Sequence, residues 1–316
     1  MDARAAARRL VPLVLVAGVA TAASAMPPPV VPALASFGSS VPVAIHDVAF
    51  DAAGNLFVSA LSGNAGQIFK ITPGGATSVY KSYEFFDDAR GLAFDAAGGL
   101  YVADAGFGRP LTGRILRVTP DGVVTVVAAG LAQPTSLAVG ADGNVYVSEP
   151  LTGAIERVTP AGQVSVFATG FVNAGETLGA LAFDGAGDLY AGVGGRIVRV
   201  SLNGATVTTV MSGLDEVRGL LPYGGEFFVA TYGHHDLRFA SPTRGVTRLT
   251  STTLGDPCLD GPIPAGASVS LPAGMRLQNG RVYVADEGCH RVLVFDVALP
   301  VPARRATWGA LKACYR

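Results

Sequence analysis

The stretch that decides the fold is Gly91-Leu-Ala-Phe-Asp-Ala-Ala-Gly-Gly-Leu-Tyr-Val-Ala-Asp104. It reads as a short apolar strand, then an Asp-x-x-Gly tetrad whose glycine supplies the positive φ of a tight hairpin, then a second strand alternating with period two. Related versions occupy residues 48–59, 137–149 and 181–191. Their first apolar residues, Val48, Leu92, Leu137 and Leu181, stand 44, 45 and 44 residues apart. Two looser copies begin at Leu220 and Met275 and keep the second strand as Phe227-Phe-Val-Ala-Thr231 and Val282-Tyr-Val-Ala-Asp286. Self-similarity at such a period marks a repeat architecture, each copy being a unit that cannot bury its apolar face alone.

The remainder of each copy supplies two more strands. Arg114-Ile-Leu-Arg-Val118 reads as a third, and Thr119-Pro-Asp-Gly122 turns it into a fourth, with proline where φ is preset and glycine where it must be permissive. Thr72-Pro-Gly-Gly75 and Thr159-Pro-Ala-Gly162 repeat that turn. Four antiparallel strands per copy are a propeller blade, so the expected fold is an all-β, six-bladed β-propeller of four-stranded antiparallel blades over residues 45–298. The 55-residue step from Leu220 to Met275 is read as a long Gly/Pro-rich loop over residues 250–272. Blade six runs into Leu299-Pro300-Val301-Pro302 after its third strand, so residues 30–37 are expected to supply its outer strand.

The last copy contains Val282-Tyr-Val-Ala-Asp-Glu-Gly-Cys-His-Arg-Val-Leu-Val-Phe295. It resembles the NHL repeat, in which a strand ends at Asp and an Asn-His-Arg-Val run opens the next; Cys289 stands in place of the Asn. The resemblance implies the propeller fold and an architecture related to gluconolactonase-like propellers. It implies little about activity, because this fold hosts enzymes, binders and scaffolds alike.

The ends of the chain read differently. Arg4, Arg8 and Arg9, an apolar run over 10–20 and the small residues Ala23-Ser24-Ala25 have the build of a secretory signal over 1–25. The run is too short for a spanning helix, so a secreted or periplasmic protein with no transmembrane segment after cleavage is expected. Residues 26–44 form an N-terminal segment and 299–316 a tail. Of 316 residues, 291 follow the signal, with a formal charge of −3. That balance argues against a nucleic-acid partner, which needs a basic patch, and none is expected. Cys258, Cys289 and Cys314 form no Cys-x-x-Cys pair; in an oxidising compartment Cys258 and Cys289 are the expected disulfide, with Cys289–Cys314 as the rival pairing and three free thiols as the alternative to both.

Residues just ahead of each first strand crowd one mouth of the central channel. They include His46, Asp47, Arg90, Thr135, Ser136 and Arg218, with Asp104, Glu149, His234, His235, Asp286 and His290 further out. His46, Asp47, Arg90 and Arg218 are the candidates for catalysis; His46, Arg90, Thr135, Arg218 and His234 are those for ligand binding. A His can act as base or ligand, and two Arg can grip an anion. Asp104, Glu149 and Asp286 end equivalent strands and are expected to accept backbone N–H groups. No phosphate loop, nucleophile elbow or His-Glu-x-x-His run is present. No residue is assigned to a metal and no cofactor is expected, although Ca²⁺ or another divalent metal at the channel is the natural companion of a lactonase-like activity. The leading expectation is a binding or scaffold module for a protein, peptide, glycan or small molecule at this face; the alternative is a hydrolase or lyase at the mouth.

Overall fold

In the computed structural model, residues 30–31, 33–36, 43–63, 65–82, 84–108, 111–250, 261–262 and 268–297 are described. Six four-stranded antiparallel sheets stand in a ring. The first strands of the six blades are Val43–Phe50, Ala89–Phe94, Ser136–Val139, Leu178–Phe183, Val217–Tyr223 and Pro272–Gln278. Each touches the first strand of the next blade, and the sixth touches the first, so the ring is closed around a central channel. Among the described residues the sole helix is a three-residue 3₁₀ turn, Gly106–Gly108.

Within a blade, neighbouring strands are consecutive in sequence, as hairpin chemistry requires. The outer hairpin of blade 2 turns where Gly122 donates its N–H to the Thr119 carbonyl at 2.8 Å, with a φ of 89° that only glycine adopts without strain. Blade 6 departs from this order. Its inner strands are Pro272–Gln278, Arg281–Asp286 and Arg291–Asp296, and its outer position is held by Ala33–Ser36, antiparallel to Arg291–Asp296. A separate two-stranded ladder joins Val30–Val31 to Gly261–Pro262, a pairing inside the expected long loop that the sequence pattern does not reveal. The proposed signal, the tail over 299–316, Cys258 and Cys314 lie outside the described residues.

Alternation puts every second side chain of a strand on each blade face, so the apolar residues fill the spaces between blades. Six buried clusters result, one per interface; that between blades 1 and 2 includes Phe57, Ile68, Leu92 and Leu100. Edge-to-face aromatic pairs recur across these interfaces: Phe57–Phe94 at 5.1 Å, Tyr146–Phe183 at 5.3 Å, Tyr190–Phe227 at 5.1 Å and Phe50–Tyr283 at 4.7 Å between ring centroids.

Candidate binding site at the channel mouth

The loops between blades, and those between second and third strands, open on one face. Buried acids at the ends of second strands set their course. Asp104, fully buried, accepts the N–H of Asp88 at 2.7 Å, and the Arg114 guanidinium closes on its other oxygen. Glu149 accepts the Ala132 N–H at 2.8 Å, and Asp286 accepts that of Ser270 at 2.7 Å with Arg291 Nε at 2.9 Å. Each carboxylate thus clamps the segment leading into its own blade. Burial pushes Asp286 up to about 6, against the pull of the Ser270 N–H and Arg291.

Clamping Asp88 places it at the mouth beside His46 and Arg90. The Arg90 Nε donates to Asp88 Oδ2 at 2.8 Å, while Asp88 Oδ1 lies 3.6 Å from His46 Nε2. Both of these last atoms are buried and have no hydrogen-bond partner. The other imidazole nitrogen, Nδ1, stands 3.8 Å from Glu287 Oε2. Burial raises the Glu287 carboxyl, but His46, Arg218 and Arg90 together hold it below the ordinary glutamate range. Arg90, Arg218 and Glu287 belong to three different blades, the arginines lying 197 and 69 residues before the acid, and they share one field.

Across the mouth, Arg218 donates to Glu216 Oε1 at 2.8 Å and lays its guanidinium 4.5 Å from the centre of the Tyr232 ring. Thr135 meets Ser148 Oγ at 3.1 Å, and with His46, Ser136 and Arg218 it lines a recess of about 40 Å³, room for ordered water. His234 stands apart: largely exposed, with Nδ1 2.5 Å from Asp215 Oδ2. Strand geometry predicts that His234 and His235 point to opposite faces, but both sit in the turn between Glu226–Thr231 and Asp236–Ser241. His235 takes a φ of 51° there, and its Nδ1 accepts the Leu271 N–H at 3.3 Å, tying blade 5 to blade 6.

Asp47 is committed to the scaffold. Its carboxylate accepts the N–H of Val48 at 2.8 Å and of Leu92 at 2.9 Å, and Arg276 Nη2 stands 3.2 Å away. Burial pushes the carboxyl above its usual range even though Arg276 and these N–H groups pull it down. Ser136 repeats the arrangement two blades on, its hydroxyl accepting the Leu181 N–H at 3.0 Å. Arg276 was not among the sequence candidates. From blade 6 it crosses the channel to donate to the Leu92 carbonyl of blade 2 at 2.7 Å, and also to the Met275 carbonyl at 2.8 Å. The signal was present in the repeat: at the matching position four other copies carry Ala49, Ala93, Ala138 and Ala182, and these small residues leave the space that Arg276 spans. The Asp47–Arg276 bridge divides the channel into the polar mouth and a funnel of about 340 Å³ at the opposite end.

Among the described residues no three His, Cys, Asp or Glu side chains are placed together to hold a metal ion. No helix of the described residues is long and apolar enough to cross a membrane.

Comparison with known proteins agrees with the fold. A sequence model of the NHL repeat matches residues 270–295. No curated protein matches the chain. Among solved structures, an auxiliary nutrient binding protein from Bacteroides ovatus superposes with a TM-score of 0.68 at 16% identity, covering 85% of this chain and 77% of that one. Virginiamycin B lyase from Staphylococcus aureus gives 0.57 at 15% identity, covering 80% of each chain. A structural-genomics gluconolactonase candidate gives 0.62 at 14% identity, covering 85% of this chain and 92% of that one. At such identities the likeness is one of fold. Repeat sequence and ring architecture together identify the chain as a six-bladed β-propeller with an NHL repeat in its last blade.

Proposed function

We propose that this chain is an extracytoplasmic binding propeller that holds a polar ligand, a protein or peptide segment, a glycan or a small molecule, at the channel mouth. One observation carries the reading: Asp88 Oδ1 and His46 Nε2, buried 3.6 Å apart without partners, are bordered by the partly exposed Arg90, Glu287 and Arg218. Buried polar atoms left unpaired are costly, and a ligand group at the mouth recovers that cost once the His46 ring or the Asp88 carboxylate turns outward to meet it. The mouth offers donors in the arginines and acceptors in the acids, with Tyr232 as an aromatic surface, a set suited to recognition. The nutrient binding proteins among the structural neighbours support the same role.

The test is a thermal-shift and titration screen of the purified protein against peptides, oligosaccharides and small polar metabolites. A hit is expected to raise Tm, and Arg90→Ala with Arg218→Ala to weaken it by about ten-fold or more without unfolding the ring. Ligands that bind the double variant as tightly as the wild type would overturn the assignment of the mouth. Cell fractionation, with the mature protein expected outside the cytoplasm, checks the compartment.

A second reading, a hydrolase or lyase, draws on His46 alone. Its two nitrogens each face a carboxylate, Asp88 and Glu287, the setting of a positioned acid–base group. That reading requires turnover that His46→Ala removes and Arg218→Ala only weakens.

A further inference from the structure

The far end of the channel has a different chemistry from the mouth. At or next to its last residue, each of the six first strands places an apolar residue or a proline there: Phe50, Phe94, Val139, Phe183, Pro222 and Leu277. Their rings and chains pack between blades, but the edges left over wall a funnel in which Arg276 is the sole charged lining residue among those described. At about 340 Å³ it is more than twice the size of the cavity of roughly 150 Å³ that accommodates benzene in an engineered protein core. The floor is the Arg276 guanidinium. Its three hydrogen bonds, to Asp47, the Leu92 carbonyl and the Met275 carbonyl, leave its Nε–H and one Nη1–H uncommitted.

We infer that this funnel is a second binding site, for a small aromatic or aliphatic molecule whose single hydrogen-bond acceptor, a carbonyl or carboxylate oxygen, meets Arg276 while its apolar body rests against the phenylalanine edges. Two independent features converge on this chemistry. The wall side chains are apolar apart from Gln278 at the end of the blade 6 first strand, so they offer burial chiefly to apolar groups. The floor offers donors only, since arginine has no acceptor, and Asp47 balances its charge, so a neutral carbonyl serves as well as an anion. A ligand with an ammonium head is excluded by the same floor. Because Arg276 is held from three blades, the site is formed before any ligand arrives.

Three probes with a common body test it by ligand-observed NMR and titration: 4-phenylbutanamide, 4-phenylbutanoate and 4-phenylbutylamine. The amide or the acid is expected to bind saturably and the amine about ten-fold more weakly or not at all. Whichever of the two acceptor heads binds tighter decides between carbonyl and carboxylate. Ala182→Leu fills the funnel from its wall and should abolish binding while leaving Tm close to wild type; Ala93→Leu does the same from another blade should the first variant fold poorly. Arg218→Ala, at the mouth, should leave these affinities unchanged, which separates this site from the ligand of the proposed function. Absence of saturable binding by both acceptor probes, equal binding of the amine, or binding that survives a filled funnel would each overturn the inference.

Discussion

At Asp47 one carboxylate caps the unpaired edge of a neighbouring blade and holds the guanidinium that bars the channel. Removing it leaves a Leu92 N–H without its acceptor and Arg276 without its counter-charge, losses that belong among the larger effects of single substitutions. Asp47→Ala should cost about 3 kcal/mol, read as a lowered midpoint in urea. The same site explains a glycine. A Cβ on Gly274 would lie 1.8 Å from Asp47 Oδ1, so Gly274→Ala must push the carboxylate off its partners and should destabilise by about 2 kcal/mol or more in the same measurement. This residue-level network was only half legible. Asp47 was visible ahead of the first strand, but its partner Arg276 lies 229 positions on, and what marks it is its difference from the alanines of other copies. Asp88 and Glu287 were hidden for another reason: they come from connecting segments, where the repeat is least regular.

At the scale of a single blade, the segment entering blade 4 is secured by Glu176, which accepts Arg196 Nε at 2.9 Å, Arg196 Nη2 at 2.5 Å and the Asn173 N–H at 2.9 Å. The Arg196 hydrogen bonds hold its carboxyl down at about 2, against an ordinary 4.5. The folded state therefore binds this proton less readily than the unfolded chain. The contribution is fully present above pH 4.5 and is lost as pH falls through about 2. The stability difference between wild type and Glu176→Gln, measured by denaturant unfolding, should be greatest near neutrality, on the order of 1 kcal/mol after screening, and should close towards pH 2. Such hairpin-level features were the most legible part of the fold. Turns such as Thr119-Pro-Asp-Gly122 and the alternation of Leu100–Asp104 are local, and propensity and pattern agree there. The ladder of Val30–Val31 with Gly261–Pro262 was not legible, because two residues carry no period and their partners lie far apart.

For the whole molecule, the ring is stable only if its last interface forms. The backbone of Ala33–Ser36 completes blade 6 against Arg291–Asp296. Deleting residues 26–40 uncovers that edge and should lower Tm by about 10 °C or more; an unchanged melting curve would show that this strand adds nothing to the ring. The proposed Cys258–Cys289 disulfide would staple the long connection beside the same blade and contribute on the order of 3 kcal/mol. Peptide mapping without reductant should recover the crosslinked pair, and alkylation of either thiol in the folded protein would rule it out.

The use of an early strand to finish the last blade also imposes an order on synthesis. Ala33–Ser36 is made before any blade, yet its partner strand ends at Asp296, so this segment has nothing to pair with until five blades and most of the sixth exist. During that interval the growing protein carries an unmatched strand at one end and an open edge at the other, the condition in which two nascent molecules can pair with each other instead. A circular permutant that begins at residue 43 and carries 26–36 after residue 297 would make every blade from contiguous sequence. It should refold faster and with less concentration-dependent loss than the natural order, at an unchanged final Tm.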